Sequence, residues 1–169
     1  MAHKHPESVL ILIHTEDQVL LLQRQDNPDF WQSVTGSLEV GETRFQAAER
    51  ELEEETGLRL NNGLQLVETG HRVRFEIYPR WRHRYRPGVT HNWEYEFYLR
   101  LPSPQEVCLT EHLSQCWLPL AEARDKASSW TNRLAIDRLI QRKNQDKHLC
   151  INSGKNLCRN QGDETDGRS

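Results

Sequence analysis

No segment of this sequence is apolar for long. The longest purely aliphatic run is Val-Leu-Ile-Leu-Ile at residues 9–13. That is far short of the ~20 apolar residues with which a helix spans a bilayer, so no membrane partner is expected. The opening Met-Ala-His-Lys-His-Pro lacks the apolar stretch of a secretion signal, and a cytoplasmic location is expected. Four cysteines (Cys108, Cys116, Cys150, Cys158) include no CxxC pair and no zinc-ligand spacing. That argues against a structural zinc site and for reduced thiols. No fixed-period repeat is visible, which sets aside solenoids and propellers. A net charge of −3 does not suit a general nucleic-acid binder.

What remains is a soluble composition, 36% hydrophobic and 28% charged over 169 residues. This length supports one domain with a real core and is marginal for two. From about residue 145 the composition turns to Asn, Gln, Gly, Asp and Lys. We therefore expect a domain over 1–144 and a disordered tail over 145–169.

Residues 8–14 read as a buried strand and 19–23 as its hairpin partner. A short extended segment, 31–35, leads into a glycine loop. Apolar residues with a turn at 61–63 suggest two strand pieces over 58–69. Alternation over 73–78 and again over 93–101 predicts half-buried strands, with a basic, aromatic loop or hairpin at 79–87 between them. A short strand at 115–118 and helices at 119–126 and 131–143 complete the domain. Ser129 or Thr131 is the expected cap of the last helix. Strands mixed with helices, several of them hairpin-linked, argue for an α/β fold with helices packed on a mixed sheet.

Residues 36–58 stand apart. A glycine loop opens them, a helix is expected over 43–56, and Gly57 can end it in the left-handed conformation. Glu51, Glu54 and Glu55 stand at i, i+3 and i+4 and share one helix face. Phe45, Ala48 and Leu52 form an apolar stripe beside it. Like charges at this spacing repel, and near a helix C-terminus the macrodipole opposes them. A generic acidic helix is a solvated surface. Clustered carboxylates also suit hard divalent cations, which would keep them ionised.

The residues from Gly36 to Leu58 match Gly-x5-Glu-x7-Arg-Glu-apolar-x-Glu-Glu-x-Gly-apolar at every fixed position. This resembles the signature of the Nudix hydrolases, which cleave a nucleoside diphosphate linked to another group. The resemblance implies an α/β/α sandwich with a mixed β-sheet and the acidic helix against it. It implies catalytic Glu51, Glu54, Glu55 and Arg50, with Arg50 orienting the acids and Glu42 bracing the loop–helix junction. It implies Mg²⁺ as cofactor, Mn²⁺ substituting, on Glu51, Glu55 and a later loop acid, for which Glu111 in Thr110-Glu111-His112 is the candidate.

A second cluster is basic and aromatic. Arg72, Arg74, Arg80, Arg82, His83, Arg84 and Arg86 interleave with Phe75, Tyr78, Trp81 and Tyr85. Half of these are expected to be ordinary surface. The others suit phosphate oxygens and a flat heterocycle, and one compact patch in a chain of net charge −3 favours a small anionic ligand over RNA or DNA.

A narrower resemblance covers roughly residues 4–140. Leu22-Gln23-Arg24, the run from Pro28 through Trp31 to Gly36, Phe75-Glu76-Ile77, Arg82-His83-Arg84-Tyr85, Thr110-Glu111-His112 and Ser129-Trp130 with Asn132-Arg133 are similar to one branch of that family. The branch removes pyrophosphate from dihydroneopterin triphosphate in bacterial folate biosynthesis. It implies a substrate site of Lys4, Arg24, Thr35, Phe75, Glu76, Ile77, Tyr78 and Ser129. A broader nucleoside triphosphate pyrophosphatase is the enzymatic alternative. A non-catalytic binding module is the other, disfavoured because all three helix acids are present.

Overall fold

The computed structural model describes residues 3–157. Within it, the described residues divide after Ile136 into two compact units. The first carries the sheet: β1 (Glu7–His14), β2 (Gln18–Arg24), β3 (Trp31–Gln32), β4 (Val34–Ser37), α1 (Arg44–Thr56), β5 (Leu66–Glu76), β6 (His91–Arg100), β7 (His112–Pro119) and α2 (Leu120–Lys126). It also holds the first turns of α3 (Trp130–Leu157), whose remainder forms the described part of the second unit.

The aliphatic run of β1 lies at the centre. β1 pairs with β6 in parallel along its whole length and with β4 and β2 antiparallel on its other edge. The order β3-β2-β1-β6-β5, with β4 on β1 and β7 on β2, makes a mixed seven-stranded sheet. Every β1 residue from Ser8 to His14 is buried, so both faces of this strand are covered. On one face Val9, Ile11 and Ile13 join Tyr95, Phe97 and Leu99 of β6 and Ala47, Ala48 and Leu52 of α1 in a single core. Alternation sends Leu10 and Leu12, with Glu94 and Glu96, to the opposite face. Ala123 of α2 and Ala135 and Ile136 of α3 are buried as well.

The expected strands are present with changed bounds, except the piece before the turn at 61–63. The second piece expected within 58–69 and the strand expected over 73–78 are one strand, β5, broken by a register shift between Glu68 and Arg72 around Gly70 at φ 80°, while the first piece is no strand and Leu60–Asn62 is a 3-10 helix. The bulge hides the strand from a period-2 reading. The segment 79–87 is not a hairpin: Pro79–Arg84 is a 3-10 helix. The last helix, expected to stop at Lys143, runs on to Leu157, because polar residues do not by themselves break a helix. Cys108, Cys116 and Cys150 are free thiols. Cys158 and the last part of the expected tail lie outside the described residues.

Candidate active site

Local chemistry fixes α1 closely. Thr43, the first residue of the expected helix, is its N-cap: its hydroxyl accepts the Gln46 N–H while the Gln46 side chain accepts the Thr43 N–H. Such reciprocal capping typically contributes ~1 kcal/mol. Gly57, at φ 70°, closes the helix with its N–H on the Glu53 carbonyl. Ala47, Ala48 and Leu52 are fully buried against the sheet. Phe45 is not: it remains 43% exposed and meets Phe97 edge-on. With the apolar side docked, Glu51 and Glu55 turn toward the loop before the helix.

Arg50 ties that loop to the helix. Its Nε and Nη2 donate to the two oxygens of Glu42 at 2.7 and 2.9 Å, and Nη2 also donates to the Ser37 carbonyl at 3.0 Å. Its Nη1 donates to Glu51 at 2.7 Å and to Glu54 at 3.2 Å. Glu42 in turn accepts the Glu39 N–H at 2.8 Å. The guanidinium holds the Glu42 carboxyl below its usual range, and its own pKa is raised by these acids, Glu42 first.

The helix acids differ in environment. Glu54 is about half exposed. Burial raises the Glu51 carboxyl above its ordinary value despite Arg50, with Glu54 and Glu111 adding repulsion. Glu55 is only 4% exposed, and its Oε2 has no hydrogen-bond partner. Burial first, then Glu51 and Glu111, pushes it up to about 9, against a hydrogen bond from the Thr35 backbone. Glu111 thus stands close enough to act on both acids although it lies far along the chain, just before β7. Among the described residues no three Asp, Glu, His or Cys side chains already converge as a ligand set. Glu51 and Glu54 are instead turned onto Arg50.

Two cavities meet beside these acids. One, of about 480 Å³, is lined by Glu55, Glu111 and His112 together with the cations Lys4, Arg24 and Arg84. The other, of about 530 Å³, is walled by Phe30, Phe75, Ile77, Tyr78, Trp81 and Trp130. Arg24, Gln32 and Thr35 line both. Arg24 is held there by Asp26, at 2.7 and 2.6 Å, and its guanidinium lies 5.7 Å from the Phe30 ring centroid and 5.9 Å from that of Trp81. Lys4 is placed by a backbone bond from its N–H to the Arg84 carbonyl at 2.8 Å. Ser129 lines the ring cavity and caps α3, its hydroxyl accepting from the Asn132 N–H at 3.2 Å.

The structure gathers most of the candidate residues. Lys4, Arg24, Thr35, Glu55 and Glu111 share the charged cavity; Phe75, Glu76, Ile77, Tyr78 and Ser129 line the aromatic one. Arg50 and Glu51 line an adjoining cleft that also contains Lys4. Glu54 lines none of the three. The basic cluster divides. Arg84 faces the acids. Arg72 lies over Trp93, Arg80 over Trp81, and Arg82 pairs with Glu76. Sequence reasoning did not single out Phe30, Gln32, Glu94 or Asn132 as site residues. Glu94 left a trace: it is a charge within the alternation of β6, on the side opposite Tyr95 and Phe97.

A NUDIX domain model matches residues 4–139. The chain is 47% identical over 141 residues to the dihydroneopterin triphosphate diphosphatase of Escherichia coli, covering 82% of this chain and 94% of that protein. It is 41% identical over 143 residues to the enzyme of the same name from Haemophilus influenzae, covering 83% and 90%. The structure of the E. coli dihydroneopterin triphosphate pyrophosphohydrolase superposes with a TM-score of 0.77, covering 82% of this chain and 97% of that one. A NUDIX hydrolase from Listeria monocytogenes, 23% identical, shares the fold at a TM-score of 0.71 over 84% of this chain and 97% of its own. Among the described residues no helix is long and apolar enough to cross a membrane. Nudix hydrolases generally need divalent metal ions, and this chain belongs to the Nudix hydrolases.

Proposed function

We propose that this chain is a cytoplasmic, Mg²⁺-dependent pyrophosphohydrolase that converts dihydroneopterin triphosphate to dihydroneopterin monophosphate and pyrophosphate in folate biosynthesis. The names of its relatives at 47% and 41% identity support that substrate. The observation that carries the reading is the shared wall of Arg24, Gln32 and Thr35, which joins an aromatic cavity to a charged one. A molecule with a flat ring at one end and a triphosphate at the other has this division of character. On this reading residues 1–144 hold the whole activity, and 145–169 is an appendage.

The acids fit a hard cation. The orphaned Glu55 Oε2, buried beside the mutually repelling Glu51 and Glu111, is an oxygen set that only positive charge would keep ionised. Glu51, Glu55 and Glu111 would hold Mg²⁺, or Mn²⁺ in its place. The bound ion supplies Lewis-acid neutralisation of phosphate oxygens and activation of water. Arg50 keeps Glu51 aimed by fixing it to Glu42 and the Ser37 carbonyl. Glu54, on the other side of Arg50, restrains the same guanidinium. Lys4 and Arg24 bind phosphate oxygens as cations. Phe75 and Tyr78 supply ring surface, Ile77 apolar contact, and Ser129 a hydroxyl. Glu76 holds Arg82 and so anchors the 3-10 helix that carries Trp81 and Arg84.

The test is product identification. With Mg²⁺ the purified protein should release pyrophosphate from dihydroneopterin triphosphate, with kcat/KM well above that for dATP. Orthophosphate as the primary product, or equal efficiency on dATP, would sink the assignment.

A further inference from the structure

A buried acid lies among the residues that line the aromatic cavity. Glu94, on β6, is 7% exposed and lines this cavity. Its Oε1 is buried and has no hydrogen-bond partner. Thr131, in the first turn of α3, donates to the carboxyl group. The neighbouring polar groups are already engaged. Arg24 is on Asp26, and Glu76 is on Arg82. Asn132 accepts the Ser33 N–H at 2.7 Å and donates to Ser129 Oγ at 2.7 Å. A buried carboxylate oxygen left without a donor is costly. The residue that carries it lines a cavity of about 530 Å³, room enough for a bicyclic ring.

We propose that Glu94 reads the edge of the bound heterocycle, accepting two parallel hydrogen bonds from a ring N–H and an adjacent exocyclic amino group; this rests on the substrate reading above. A carboxylate has about four acceptor sites, of which Thr131 takes one. Two parallel N–H donors beside one another match the remaining fork, as a guanidinium does. The 2-amino-4-oxo pyrimidine ring of a pterin presents that pair, and guanine presents the same pair. Adenine and cytosine place an amino donor next to a bare ring nitrogen, which would face a carboxylate oxygen lone pair to lone pair. The aromatic walls stack on any of these rings and discriminate poorly. Glu94 therefore supplies the selection that stacking lacks. Burial, with Glu96 adding repulsion and Thr131 opposing it, pushes the free carboxyl up to about 7, and a ligand donor pair favours its ionised form.

The experiment measures kcat and KM for Glu94→Gln and Glu94→Ala against wild type on dihydroneopterin triphosphate, dGTP and dATP, with circular dichroism to establish folding. A Gln side chain keeps the shape but places an amide donor against a ring N–H. The expected result is an about 100-fold fall in selectivity for the pterin compound over dATP, carried mostly in KM, and a parallel fall in the dGTP-to-dATP ratio. Ratios within threefold of wild type in both variants, whatever the absolute rates, would overturn the role. The dGTP-to-dATP ratio reads Glu94 even if dihydroneopterin triphosphate proves a poor substrate for the wild type. Failure of the substrate reading and failure of the Glu94 assignment are thus separate outcomes.

Discussion

Gly36 and Glu51 approach so closely that a β-carbon on Gly36 would fall within the Glu51 carboxyl group. Gly36 sits in β4, paired with Val9 of β1, so the sheet cannot retreat. Glu51 is held from the other side by Arg50 at 2.7 Å. Gly36→Ala should therefore swing the carboxylate out of place while leaving the fold intact. We expect kcat to fall by about 100-fold or more, as for a misplaced catalytic group, with Tm changed by only a few degrees. Wild-type kcat in a folded Gly36→Ala protein would contradict a role for this approach in positioning Glu51.

Arg50 does more than neutralise acids. Its planar fork meets both Glu42 oxygens while a separate nitrogen reaches Glu51. Lysine keeps the charge but cannot span these points. Arg50→Lys should lower kcat by about 10- to 100-fold with a smaller change in KM, the range seen when groups that orient metal ligands are removed. An Arg50→Lys enzyme with unaltered kcat would reduce Arg50 to a charge balance.

Metal dependence should appear in stability as well as in rate. Glu55 is buried among acids, so a cation that binds there stabilises the folded state by mass action. Adding Mg²⁺ to chelator-treated protein should raise Tm in the wild type and much less in Glu55→Gln. Glu51→Gln and Glu55→Gln should each lower kcat by about a thousandfold or more if the metal drives the chemistry. An equal Mg²⁺-induced shift in Glu55→Gln and wild type would remove Glu55 from the ligand set.

How far these features could be read in advance varied with their range along the chain. The helix acids, Arg50 and the Gly57 stop lie in one local run, and helical geometry alone groups them. The aliphatic run of β1 announces a strand covered on both faces. The aromatic cavity is built differently. Phe30, Trp81, Glu94 and Trp130 come from four segments, and only sheet register and the first turn of α3 bring them together. The register shift in β5 is also invisible to alternation, because an unpaired insertion changes the phase of the pattern. Narrow family likeness alone proposed Lys4, whereas for Ser129 a local rule gave the helix cap and the likeness added a place in the substrate site. Neither likeness nor pattern reached Glu94: its meaning depends on a burial that appears only when both faces of β6 are covered.

That burial has a consequence for pH. The Glu94 carboxyl, ordinarily near 4.5, is pushed up to about 7 by desolvation, with Glu96 of the same strand raising it and Thr131 of α3 lowering it. The folded state then binds the proton more tightly than the unfolded chain. Its stabilising contribution is complete below about 4.5 and is lost as pH rises through 7. Glutamine has no such proton to lose and can still accept from Thr131. Between pH 5 and pH 8 the stability of the wild type should fall relative to Glu94→Gln by an amount on the order of 2–3 kcal/mol, from the ~1.4 kcal/mol carried by each unit of displacement. Comparing the two proteins cancels the similar contribution of Glu55, which both contain. Denaturant melts of each protein at both pH values measure the difference. A gap that stays constant with pH would show that Glu94 titrates in the folded protein as it does in the unfolded chain.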